Sequence, residues 1–380
     1  THFPYTKHFR SSLKANTSGQ NNSGLGKGAL NAKTTGANNT GIGAFALDAN
    51  TTGSQNVAIG CDAMGANTEG SNHVAIGRRA LDANTTGVAN IAIGRQALTS
   101  NTTANFNTAL GAESLGSNST GASNTSVGYN SLASNTTGDS NVAIGVNALD
   151  ANTTADSNTA VGWNTLSANT TGSLNTGLGE SALRNATTAG DNVAVGYSAL
   201  TTTTTGSSNT AVGKMALYAN TTGARNVCLG FQALYSNNAT DNTAVGHNAL
   251  FNNTTGESNT ALGKSAGENV TTGAQNVAVG TNAGNTITTG NYNLCVGYNT
   301  DTGSADSQRR FVIGQDFNGT TNNAVHIGAS GGHVRNDFLS DATWDQVSDV
   351  RKKTNIEDNS MGLEFINGLR TVIFNFKAPS

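Results

Sequence analysis

The stretch Asn141-Val142-Ala143-Ile144-Gly145-Val146-Asn147-Ala148-Leu149 decides how this chain folds. It opens with a short β-forming run closed by glycine, and a second apolar contact, Leu149, follows four residues after that glycine. A turn rich in Asn and Thr comes next, typified by Ala49-Asn50-Thr51-Thr52-Gly53 and Ala83-Asn84-Thr85-Thr86-Gly87. The general form Asn-x-Ala-Ile/Val/Leu-Gly occurs in 17 copies, from Gly26 to Gly297 and through Gly60, Gly94, Gly111 and Gly145. Every interval is 17 residues except the 16 between Gly230 and Gly246. A chain that holds phase over so many copies is a stacked-repeat protein. No apolar pattern repeats at 3.6 residues, and Gly with Asn-Thr-Thr runs forms helices poorly, so each copy reads as one coil of a parallel β-solenoid.

Composition agrees. Charged residues are 11% of the 380, against about 25% in ordinary domains. With 47 glycines and few large apolar residues, the chain cannot fill a wide core, only a narrow repeated one. A formal net charge of -3, thinly spread and of mixed sign, gives no footprint for nucleic acid or an anionic membrane. No apolar run approaches the roughly 20 residues of a membrane span.

Stacking places identical positions about 4.7 to 4.8 Å apart, so the repeat predicts an all-β rod of roughly 80 Å. The Asn four residues before each motif glycine, as at Asn56, Asn90, Asn107 and Asn141, is replaced once, by His73. These Asn and the motif glycines are predicted to form structural ladders rather than ligand sites. The short coil is predicted to lose its residue in the turn around Ser236–Thr240. The second apolar slot changes from Leu250 to Gly267, Gly284 and Asp301, with Val270 and Ile287 appearing shortly after the two glycines. This predicts an altered coil shape in a terminal transition zone. Cys61, Cys228 and Cys295 have no metal or redox spacing. Cys228 and Cys295 are four coils apart, roughly 19 Å on the strand spacing, too far for a disulfide.

The segments Asn56–Ala63 and Asn141–Ala148 resemble the head repeat of YadA-type trimeric adhesins, over about residues 20–300. That resemblance implies a left-handed parallel β-roll with three chains side by side. The coil here is longer than that family's, which enlarges one turn.

From about Asp301 the period fades, although Phe311–Gly314 and Ala324–Gly328 still read as strands. Beyond Trp344 come Ser348, Asp349, Arg351, Lys353 and Ile356, then a predicted helix around Asn359–Gly368 and a strand ending Asn375-Phe376-Lys377. This tail is similar to the opening of the endosialidase-type intramolecular chaperone of phage tail spikes and fibres. The resemblance implies a segment that guides trimer assembly and can cut itself off at Val347–Ser348. Ser348 would be the nucleophile, Lys353 its activating group and Asp349 part of the signature, consistent with a hydroxyl needing a nearby base. The plainer reading is an ordered turn with a solvated basic face. Because the chain runs on through Ser348 to Ser380, the segment reads as uncleaved or as a shortened relic.

The organisation expected is a connecting segment (1–19), the shaft (20–300), a β-rich neck (301–347) and a small α+β chaperone-like start (348–380). No other catalytic constellation is visible. The six His are scattered and the carboxylates mostly single, so no metal, cofactor or glycosidase pair is predicted. Tyr129, Trp163, Tyr197 and Phe231 follow the motif glycine in alternate coils, with Val146, Glu180 and Lys214 between them. A spacing of about 9 to 10 Å suits stacking on a linear glycan. It equally suits a tolerant exposed position or packing between chains. The functional expectation is a homotrimeric attachment fibre on a virion surface, partnered by other virion tail or capsid proteins and a host cell-surface receptor, with a glycan as the candidate. A bacterial surface adhesin is the alternative, and an ice-binding repeat the remote one. Trimerisation is expected because a single coil leaves apolar stripes along the rod.

Overall fold

The computed structural model describes residues 12–13, 16–32 and 34–339, with the backbone of strand 345–347. Seventeen three-residue strands, from β1 (Ser23–Leu25) to β17 (Leu294–Val296), each pair in parallel with the next in sequence. The register is the repeat itself: Val142 lies opposite Thr159, Ala143 opposite Ala160 and Ile144 opposite Val161. The described residues contain no helix. The fold is a parallel β-solenoid of 17-residue coils, as the repeat predicts.

Each strand points its middle residue inward and its two flanking residues outward. Ala143, with Ala148 and Leu149 from the following turn, is fully buried, and the same trio recurs up the rod. The core is therefore a narrow column of Ala and Leu. The turns stack as well as the strands do. Met64 N–H donates to the Ala80 carbonyl at 3.0 Å, Ala66 N–H to Asp82 at 2.9 Å and Thr68 N–H to Thr85 at 3.1 Å. Backbone polar groups at the corners are thus satisfied by the neighbouring coil.

The corners explain the fixed residues. All 17 motif glycines have φ between +127° and +141°, a region closed to side chains. A Cβ on Gly145 would lie 2.4 Å from the Gly162 carbonyl oxygen. The Leu slot is also left-handed, with φ of 53° at Leu149 and 51° at Leu132. Such a conformation costs a non-glycine residue about 1–2 kcal/mol, and burying a Leu side chain returns about 1.5–3 kcal/mol. Burial wins, narrowly.

That balance accounts for Gly267 and Gly284, and it corrects the expectation of an altered coil at those two positions; beyond Asp301, which is not left-handed, the coil does change, shortening to 14 residues where Val312 pairs with His326. Both glycines keep the left-handed backbone (φ 59° and 68°) and the same inter-coil hydrogen bonds, Gly267 N–H to Ala283 and Gly284 N–H to Thr300, each 2.8 Å. The coil path is unchanged at both. What changes is the filling: Val270 and Ile287, three residues later, are 1% exposed and occupy the space the Leu side chains leave.

The short coil loses its residue where expected. One Thr of the turn is missing between Asn237 and Ala239. Elsewhere the Thr51 and Thr52 N–H groups share the Thr68 carbonyl, at 2.9 and 3.1 Å. Here the Asn238 side-chain Oδ1 takes that part, accepting from Thr221 N–H and Thr222 N–H at 2.9 Å each.

At the C-terminal end, β18 (Arg310–Gln315) and β19 (Ala324–Ala329) lengthen to six residues and remain parallel. The chain then reverses. Strand β20 (Gly332–Asp337) pairs antiparallel with β19, and β21 (Asp345–Val347) antiparallel with β20. The reversal covers the open edge that a parallel solenoid would otherwise present. The chaperone-like segment, with Ser348, Asp349, Lys353 and the helix around Asn359–Gly368, lies outside the described residues.

Candidate functional site

Two buried amide ladders hold the rod. In the first, which the sequence announces, Asn141 N–H donates to Asn124 Oδ1 at 2.9 Å and Asn141 Nδ2 to the Ala155 carbonyl at 2.8 Å. Asn56, Asn90 and Asn107 are placed alike and fully buried. The second ladder was missed. Its members are the turn Asn residues: Asn152 Nδ2 donates to Asn135 Oδ1 at 2.8 Å and to the same Ala155 carbonyl at 3.1 Å. The signal was present, since Asn50, Asn67 and Asn84 recur six residues before the motif Asn. In a turn, however, Asn usually signals only turn chemistry.

His73 replaces Asn in the first ladder atom for atom. Its Nδ1 accepts from Asn90 N–H at 3.0 Å, and its Nε2 lies 2.6 Å from the Gly87 carbonyl. That pattern fixes the neutral imidazole with the proton on Nε2. Burial pushes the His73 pKa below the ordinary histidine value.

The Thr pairs are also largely structural. Thr51 Oγ1 donates to the Thr68 carbonyl at 3.0 Å and Thr153 Oγ1 to Thr170 at 3.1 Å, so one hydroxyl of each pair is engaged along the axis. Cys228 and Cys295 are free, buried at the inward middle of β13 (Val227–Leu229) and of β17, and burial pushes both thiols up. Cys61 is free and exposed.

Surfaces able to meet a partner are therefore outside the coil. The outer sheet face is one of them. Its flanking strand residues are Val, Ile, Leu and Thr, and Leu25, Leu110, Leu178, Leu229 and Leu262 are each 45–49% exposed. Ile42, Ile91, Ile144, Val193 and Val227 add to the same face. The apolar stripe spans the shaft from end to end. Beside it runs the residue after each motif glycine. Tyr129, Trp163, Tyr197 and Phe231 stand exposed on that edge. Rungs on successive coils touch: Lys214 Nζ sits 5.6 Å over the Tyr197 ring, and Phe231 stacks on His247 at 5.1 Å. One face each of Tyr197 and Phe231 is thereby occupied.

On a further face lies a shallow groove of about 500 Å³ lined by Gln96, Thr99, Ser100, Glu113, Gly116, Ser117 and Asn130 among others. It forms where the residues after the Leu slot shrink to Gly, Ser and Thr, and Arg95 holds one Glu113 oxygen at its rim. Among the described residues no group of three or more His, Cys, Asp or Glu is placed to hold a metal ion, and no helix is long and apolar enough to cross a membrane.

The chain matches no family model and no curated protein. Its geometry has to speak for itself. The organised surface here is the apolar sheet face with its aromatic edge.

Proposed function

We propose that the chain is the shaft of a homotrimeric attachment fibre, carried on a virion surface, that reaches a host receptor. The observation that carries this reading is the apolar outer sheet face, continuous over the strands of the shaft. A rod that sets Leu, Ile or Val at the outward end of every shaft strand, with five of the leucines nearly half exposed, presents an interaction surface far longer than the scattered apolar residues of a monomer. Its repeat is identical along the axis, so a second and third copy fit it in parallel, and a closed three-fold ring leaves no such face open. The uniform coils also allow packing one coil out of register. The tail after Ser348 resembles a chaperone that would set the register before the shafts zip together. In this reading the edge bearing Tyr129 and Trp163 remains outward and is the place for a glycan receptor.

Light scattering of the full chain tests the proposal. The expected mass is about three times 38.4 kDa. Leu178→Lys with Leu229→Lys should yield a folded β-rich monomer. A monodisperse wild-type monomer at micromolar concentration rejects the trimer, and with it the fibre.

A further inference from the structure

The C-terminal end of the shaft differs from every coil before it. His326 takes the inward middle position of β19, in register with Val312 of β18 and, one coil further back, with Cys295. It is fully buried, and neither ring nitrogen makes a hydrogen bond. Across from it, β20 brings Arg335 opposite His326 and His333 opposite Gly328. The His326 and His333 rings are 5.3 Å apart, and Phe317 stacks on His333 at 5.5 Å. From β18 comes Arg310, whose guanidinium donates to the Thr302 and Gly319 carbonyls. The His326 ring packs directly against Gly319, where a Cβ would lie 3.0 Å from His326 Cδ2.

Among the described side chains, the charged groups acting on His326 are all basic: His333 and Arg335 from β20 and Arg310 from β18. The Thr321 backbone is the one neighbour that favours a proton on the ring. Asp345 of β21 stands in register opposite Arg335, and three nearby carboxylates with described side chains are engaged elsewhere. Asp337, opposite Ala324, accepts from Leu339 N–H, Asp306 from the Ser304 hydroxyl and Asp316 from Asn299.

We propose that this cluster is an acid-operated latch, in which protonation of the His326–His333 pair parts β20, and with it β21, from the end of the shaft. Neutral, the two rings pack as apolar surfaces against Phe317 and Val312. Protonated, His326 would be a buried cation with no carboxylate among the described side chains to balance it and two guanidinium groups beside it, which a folded interior does not tolerate. The latch is a short antiparallel hairpin at the rod's end, so it opens without breaking the coils behind it. The strand it releases, β21, is the one that leads into the chaperone-like tail.

Burial first, then the neighbouring positive charges, pull His326 down to about 4 from its ordinary 6.5. A depressed folded value means that the latch is fully stable above the unfolded value near 6.5 and weakens as pH falls toward 4.

Hydrogen–deuterium exchange of the full chain at pH 7.5 and pH 4, corrected for intrinsic rates, reads the latch directly. Peptides within 324–337 should gain roughly a hundred-fold in opening constant, while coils between residues 210 and 262, which bury no histidine, stay protected. His326→Val, which copies Val312 one coil earlier, should abolish the gain. His333→Gln should reduce it, and serves as the second arm should the valine variant lose its cap at pH 7.5. Protection of 324–337 that survives pH 4 in the wild type overturns the latch. So does loss at the same pH in His333→Gln and every folded variant, or simultaneous opening of the whole shaft.

Discussion

Exchanging the two core fillings in the middle of the shaft gives a quantitative test of how a coil is stabilised. At Leu132 and Asn135 the ordinary arrangement holds: Leu132 has φ 51° and is fully buried, and Asn135 Nδ2 donates to Asn118 Oδ1 at 2.8 Å and to the Gly138 carbonyl at 2.9 Å. Gly267 with Val270 is the alternative solution in the same chain. Leu132→Gly alone opens a cavity costing about 3–5 kcal/mol, offset by about 1–2 kcal/mol of relieved left-handed strain. Asn135→Val alone orphans Asn118 Oδ1 for about 1–3 kcal/mol and crowds Leu132 for a further ~1–3 kcal/mol. The double variant retains only the broken ladder, with Asn118 Oδ1 orphaned and Asn152 Nδ2 left with the Ala155 carbonyl alone, because the new Val fills the cavity. It should therefore be destabilised by ~1–3 kcal/mol, well short of the sum of the single changes, with a coupling of at least about 2 kcal/mol. Local opening free energies from native-state exchange of residues 125–144 measure all four corners of the cycle, which suits a long repeat array that need not unfold in one step. Additivity within about 0.5 kcal/mol would refute the compensation, and with it the explanation of Gly267 and Gly284.

Two further outcomes follow from the amide ladders. Asn169 Oδ1 is buried without a donor because the next rung is Ala186; Ala186→Asn should supply one and stabilise that coil by about 1–2 kcal/mol, and a lower thermal midpoint would count against the ladder. For His73, whose folded pKa is lowered by burial, protection of coils between residues 57 and 93 should decline as pH falls below the unfolded value of 6.5 and be complete above it. His73→Asn should make that protection independent of pH between 7.5 and 5, and a decline identical to the wild type's would show that the ring does not titrate in place.

Much of the architecture was legible before any coordinates, because a solenoid is nearly one-dimensional and its contacts are its repeat. The 17-residue period gave the register Val142↔Thr159, the separation of Cys228 from Cys295 and the site of the missing residue near Asn238. Spacing also exposed the first Asn ladder, since that Asn precedes each strand at a fixed offset.

Backbone conformation was not legible. A Leu that must sit at φ near 50° looks in the sequence like any apolar residue, so its replacement by Gly267 read as a change of coil shape when it was relief of strain with Val270 filling the gap. The second Asn ladder was hidden for a related reason: turn Asn residues commonly bond within their own turn, and only stacking shows that Asn152 reaches Asn135. The sequence alone determined the period, the narrow core and the apolar outer stripe, because each is a property of position within one coil. Only the tertiary structure decided how the end is closed, bringing His326, His333, Arg310 and Arg335 together, because the chain reverses there and those contacts belong to no repeat.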